Sequence, residues 1–418
     1  MLFPAMLSPP RLPFAVRALN AVARPVARRL PQLSLDPETL LALARANTGL
    51  EDFGTGVWRH GLSALSESLE SEADLTPLGR FIARQEIVTS LENRLQIRDW
   101  HARHPEIGDE RIERPIVIMG MGRTGTSILH DLLAEDPANR VPQTWEVERP
   151  CPPPELSSRD TDPRVEESRA QLARAEHLIP DFKKMHPMGA LLPQECVRIL
   201  GPEFASMSLP ATYRIPSYAH WLHREADLSE AYRGHRRFLQ LLQWRSPGRW
   251  VLKSPCHLWH LEALLAEYPD ALLVQTHRDP LQVLSSLTSL TTTLRAMAGR
   301  RVVPTEIARE WSALNASAFD QSVDARESGL VAPERVLDIQ FGEFLREPFE
   351  TLRRLYAFAG LAWTDTTEAR MRAHWQAHPA DEHGRHTHRF AATGLVEAEE
   401  RERVRRYQDY FGVESEPV

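Results

Sequence analysis

One stretch constrains this chain more than any other. Ile116-Val117-Ile118-Met119 is a run of apolar, mostly β-branched residues, which marks a strand buried on both faces of a parallel sheet. The loop Gly120-Met121-Gly122-Arg123-Thr124-Gly125-Thr126-Ser127 follows at once, then Ile128, Leu129, Leu132 and Leu133 at helical spacing, with Pro137 beyond them. A strand, a Gly-rich loop and an apolar helix in this order make an anion cradle. The glycines let successive N–H groups turn inward, the helix start adds its partial positive charge, and the hydroxyls of Thr124, Thr126 and Ser127 add donors. The loop is similar to the phosphate loop of nucleotide triphosphatases but departs from it at one position. Thr126 stands where such an enzyme carries the lysine that reaches the terminal phosphates, and the loop's cation is Arg123 instead. A magnesium-bridged triphosphate is therefore not the expected ligand.

The same alternation continues downstream. Strands are expected at Trp250–Lys253, 271–276 and 336–339, separated by helices. Asp279-Pro280 reads as a helix start, with a capping carboxylate and proline at the first helical position. The helix from Pro348 to about Ala359 is expected to stop at Gly360. Alternating strands and helices imply an α/β class, a P-loop-like three-layer fold with a central parallel sheet covered on both faces. Residues 1–105 read as a helical N-terminal extension, with a helix start at Asp36-Pro37-Glu38. Residues 106–418 read as the α/β domain, carrying a helical insertion at about 150–245 that includes a helix start at Asp162-Pro163. Insertions of this kind commonly shape substrate pockets.

The formal net charge of −7 argues against a nucleic-acid partner, which calls for a broad basic excess. Cys151, Cys196 and Cys256 are odd in number and far apart, so neither a disulfide framework nor a structural zinc site is expected, and a cytoplasmic, reducing location fits. No apolar run is long enough to cross a bilayer. The N-terminus does interleave Arg11, Arg17, Arg24, Arg28 and Arg29 with Leu12, Phe14, Val16, Leu19, Val22 and Val26. That segment suits either a loosely packed extension or a weak contact with a membrane surface.

A second anion holder is expected at His277-Arg278-Asp279-Pro280, where a strand gives way to a helix. Ligands of parallel sheets bind at the carboxyl ends of strands, and Arg278 there offers a planar fork of donors suited to phosphate. Ser286, two turns into that helix, adds a hydroxyl. Two holders on neighbouring strand ends suit one ligand with two separated anionic groups.

These residues resemble the sulfotransferases that use 3′-phosphoadenosine-5′-phosphosulfate (PAPS). The strand with GMGRTGTS is similar to their 5′-phosphosulfate loop, and RDPLQVLSS to their 3′-phosphate motif, where an Arg and a downstream Ser hold the phosphate; here these are Arg278 and Ser286. WVLKSPCH resembles the strand that carries their lysine, here Lys253, while PQTWEVERPCPPP, PQEC and HGRHTH…TGL resemble the large bacterial branch. The resemblance runs from about Arg114 to near Phe411. It implies a PAPS co-substrate held by Gly122, Arg123, Thr124, Gly125, Thr126, Ser127, Arg278 and Ser286, a small and possibly apolar hydroxyl acceptor, and no metal.

By analogy with phosphoryl transfer, the sulfuryl group passes in line through a loose transition state, which needs alignment, cations and a base. The resemblance gives the cation roles to Arg123 and Lys253. The histidine that some relatives carry two residues after the lysine is replaced by Pro255, so that role does not carry over. Other members use a Glu shortly after the loop, and Glu146, beside Trp145, takes that place; its rivals are His257, His186 and Glu195. Trp145, Leu191, Leu192, Phe204, Met207 and Tyr213 are candidates for the acceptor wall or, equally, for the core. His383, His386 and His388 lack the partners of a metal site and suit a loop over the nucleotide, with Arg385 near a phosphate. Two other readings use the same motifs: a phosphotransferase or nucleotide kinase, and a nucleotide-binding protein without turnover.

Overall fold

The computed structural model describes residues 9–10, 12–178, 185, 188–379 and 388–418. Among them are five strands: β1 (Ile116–Met119), β2 (Asn139–Arg140), β3 (Arg249–Lys253), β4 (Leu272–His277) and β5 (Val336–Gln340). They form one parallel sheet in the order β2-β3-β1-β4-β5. The four strands expected from sequence are β1, β3, β4 and β5. β2 has no sequence signal, because two polar residues, Asn139 and Arg140, carry no periodicity.

Side-chain alternation along β1 divides the core in two. Ile116 and Ile118 join Leu129 and Leu132 of the Thr126–Ala134 helix and Leu352 and Leu355 of the Pro348–Ala359 helix on one face. Val117 and Met119 join Leu252, Leu273, Leu284 and the N-terminal helices on the other. Each such side chain contributes roughly 1.5–3 kcal/mol by burial. The helices Pro37–Thr48, Trp58–Ser71 and Pro77–Arg103 place Leu40, Leu62 and Leu91 in this second core, so the helical extension shares the sheet's own packing.

From β1 the chain moves outward to β2 and returns through β3; from β4 it moves the other way, to β5. The direction therefore reverses between β1 and β4, and a crevice opens outside the carboxyl ends of strands at such a point. The loops after β1, β3 and β4 all leave from that edge. The Pro280–Ala298 helix starts as expected, with Asp279 accepting from the Leu281 N–H at 2.9 Å, and Gly360 closes the Pro348–Ala359 helix at φ +68°. No helix among the described residues is long and apolar enough to cross a membrane.

Candidate functional site

The cradle after β1 is pressed onto β4. Gly120 has φ +136°, and a Cβ there would stand 2.4 Å from Thr276 Oγ1, so only glycine allows this approach. Thr124 Oγ1 donates to the Met121 carbonyl and lies 2.6 Å from Thr276 Oγ1. Arg123 adopts φ +75°, a left-handed conformation that residues with a Cβ rarely take. This turn sends its side chain across the crevice, where Nε donates to Ser286 Oγ at 3.1 Å and Nη1 to the Met185 carbonyl at 2.5 Å.

Arg278, at the end of β4, donates from Nη1 to the Arg123 carbonyl at 3.2 Å, and its guanidinium stacks 4.4 Å from the centre of the Phe341 ring. Its Nε and Nη2 meet the Glu416 carboxylate at 2.8 and 3.0 Å. The two arginines expected to bind anions are therefore neighbours in one crevice. Burial, with Arg278 close by, pulls the Arg123 guanidinium below its ordinary value. Two cations held together without full solvation form a seat for an anion. Lys253, at the end of β3, closes the third side. It is buried, donating from Nζ to Ser127 Oγ at 3.2 Å and to Glu195 Oε1 at 2.5 Å.

Comparisons with known proteins identify the family. The model of the sulfotransferase family matches residues 115–365, which include the cradle, Lys253, Arg278 and Ser286. The chain belongs to the sulfotransferase family. The crystal structure of sulfotransferase STF9 from Mycobacterium avium superposes with a TM-score of 0.85 at 32% identity, covering 92% of this chain and 99% of that one. Sulfotransferase STF1 from Mycobacterium tuberculosis H37Rv gives 0.78 at 31% identity, covering 88% and 98%. A curated relative, the omega-hydroxy-beta-dihydromenaquinone-9 sulfotransferase Stf3 of Mycobacterium bovis, is 28% identical over 284 residues, 63% of this chain and 67% of its own length.

In this sulfotransferase Glu146, the base expected from sequence, is paired with a buried arginine. Glu146 is fully buried, and both its oxygens are taken by Arg140 at 2.9 Å, with the Gln143 N–H donating a third bond at 3.0 Å. Arg140 is buried as well and also donates to the carbonyls of Val141, Leu242 and Ser246. Glu146 thus caps the Thr144–Glu148 helix and neutralises a buried cation. His257 is buried against the Tyr232 hydroxyl at 2.7 Å, and burial pulls its pKa down to about 3. His186 lies outside the described residues. Glu195 is the candidate carboxylate that the fold sets on Lys253.

A cavity of about 1030 Å³ opens between the Pro77–Arg103 helix and the insertion. Gln194, the residue before Glu195, and Val197 line it together with Phe81, Leu209, Leu294 and Met297. Of the wall residues expected from sequence, Phe204 and Tyr213 line it, whereas Trp145 packs with Val165 and Ala190 in a small separate cluster. Of the histidine-rich loop, His383, Arg385 and His386 lie outside the described residues; His388 Nδ1 sits 2.5 Å from Ser285 Oγ.

Sequence reasoning did not find Glu416, Phe341 or the Met185 carbonyl. None belongs to a motif, and each reaches the crevice only through folding.

Proposed function

We propose that this sulfotransferase takes its sulfuryl group from PAPS and passes it to the hydroxyl of an acceptor with a large apolar body. The observation that carries the donor reading is the contact chain Arg278–Arg123–Ser286, which makes the two anion holders one continuous seat. In this reading the cradle residues Gly122 to Ser127 hold the 5′-phosphosulfate, while Arg278 and Ser286 hold the 3′-phosphate. Lys253 faces the bridging oxygen and neutralises its charge as the S–O bond breaks. Glu195 takes the acceptor's hydroxyl proton as the new S–O bond forms, giving a sulfate ester and adenosine 3′,5′-bisphosphate. What supports Glu195 over Glu146 is its place on Lys253 with a side chain that is 17% exposed, against a fully buried carboxylate whose two oxygens are both held by Arg140. No metal enters this scheme.

The acceptor lies in the 1030 Å³ cavity, whose size and mixed polar and apolar lining suit an amphipathic small molecule. A relative named for a hydroxylated menaquinone acceptor points the same way. The Phe14–Ala23 helix leaves Phe14, Leu19 and Val22 exposed near Arg17 and Arg24, which supports a weak membrane-surface contact through which such an acceptor arrives. The unpaired Cys151, Cys196 and Cys256 support a reducing, cytoplasmic setting.

The test is a thermal shift with adenosine 3′,5′-bisphosphate beside ATP with magnesium, followed by sulfate transfer from PAPS to long-chain alcohols and hydroxylated quinones. A ligand present at a hundredfold its Kd stabilises by about 2.7 kcal/mol, a readily measured rise. Stabilisation by the bisphosphate and not by ATP is expected. The reverse would favour a phosphotransferase.

A further inference from the structure

Arg278 holds a carboxylate brought from far along the chain. The Glu397–Phe411 helix stops at Gly412, φ +63°, and the segment 413–418 turns back over the start of the Pro280–Ala298 helix. The backbone of the segment is fastened there. The Glu416 N–H donates to Asp279 Oδ2 at 2.6 Å, Gln282 donates to the Pro417 carbonyl, and Arg401 holds both Asp279 oxygens at 2.5 and 3.0 Å. This fastening aims the Glu416 side chain at Arg278, where Oε1 accepts from Nε and Oε2 from Nη2.

A guanidinium has five N–H groups in a fixed fork, and its paired edges are what a carboxylate or a phosphate oxygen pair takes. Glu416 occupies the Nε/Nη2 edge, and the Arg123 carbonyl takes an N–H of Nη1. A phosphate arriving at Arg278 must either displace the carboxylate or settle beside it, and like charges at that distance repel in the second case.

We propose that Glu416 is an internal competitor for the phosphate seat at Arg278, so that binding of a nucleotide with a 3′-phosphate works against the 413–418 segment. The inference rests on the PAPS reading above. It makes Glu416 a brake on donor binding and on retention of the bisphosphate product, since both carry the same 3′-phosphate.

The experiment is calorimetric titration of the full chain and of Glu416→Gln with two ligands, adenosine 3′,5′-bisphosphate and adenosine 5′-phosphosulfate, which lacks the 3′-phosphate. Gln keeps the shape of a side chain that is 37% exposed, so the fold is not at stake. Glu416→Gln is expected to tighten the bisphosphate roughly fivefold and to leave the phosphosulfate unchanged. Equal or weaker bisphosphate binding by the variant overturns the inference while leaving the donor reading intact. An equal gain for both ligands also overturns it, because a general charge effect needs no competition at Arg278. Failure of both proteins to bind the bisphosphate sinks the donor reading, and the inference with it.

Discussion

Arg123 and Ser286 are 163 residues apart in sequence and in contact in space, with the Arg123 Nε 3.1 Å from the Ser286 Oγ. The contact exists because β1 and β4 are adjacent, so the loop after one strand meets the helix after the other. Arg123 reaches it by accepting a left-handed backbone. The two anion holders expected from sequence thus touch one another.

Ser286→Ala is expected to weaken adenosine 3′,5′-bisphosphate more than adenosine 5′-phosphosulfate. It removes a donor to the 3′-phosphate and also frees the Arg123 side chain from its anchor. A loss of about 1 kcal/mol, near fivefold in Kd, is the scale of one such hydrogen bond. Calorimetry with both ligands checks it, and equal losses would show that Ser286 does not distinguish them.

Glu195 and Glu146 separate by what their substitution damages. Glu195→Gln is expected to lower kcat by about 10²–10⁴, with a smaller loss of stability than at Glu146 because the Glu195 side chain is partly exposed. Glu146→Gln leaves the buried Arg140 without its counter-charge and is expected to destabilise the protein by about 3–5 kcal/mol. Urea unfolding alongside single-turnover sulfate transfer reads both effects. A stable Glu146→Gln protein with no turnover would restore the base role to Glu146.

Met297→Trp places an indole in the cavity proposed for the acceptor. The KM for the acceptor is expected to rise, while the KM for the donor, which the proposed reading assigns to other residues, stays. Steady-state kinetics with each substrate varied in turn checks this, and a rise confined to the donor would move the acceptor elsewhere.

Acid is expected to unfold the protein early. Burial pushes the pKa of His130, His235 and His257 down to about 3 from the ordinary 6.5. The unfolded chain takes protons near 6.5 whereas the folded chain refuses them, so stability is full above 6.5 and drains as the pH falls toward 3. Each pH unit in that window removes about 1.4 kcal/mol per histidine. Denaturant midpoints measured from neutral pH downward should fall, and His235→Gln, which can still bond the Tyr268 hydroxyl, should flatten the slope. Equal slopes would show that His235 is not shielded from protons.

The signals that could be read from sequence were local ones. A β-branched run such as Ile116–Met119 dictates a buried strand by its own composition, and Asp279-Pro280 dictates a helix start by its own hydrogen bonding. The local setting of Glu146, next to Trp145 and after the cradle, matches a base but does not show its partner. Arg140 engages it from six residues upstream, in a two-residue strand that periodicity cannot show.

The sequence alone determined the parallel α/β sheet, the cradle and the positions of Arg123, Lys253, Arg278 and Ser286, because each depends on neighbours in the chain. Only the tertiary structure decided which carboxylate faces which cation: Glu195 on Lys253, Glu146 on Arg140, Glu416 on Arg278. The physical reason is that charge pairing depends on distance in space and on burial, and both are fixed by strand order and packing rather than by spacing along the chain.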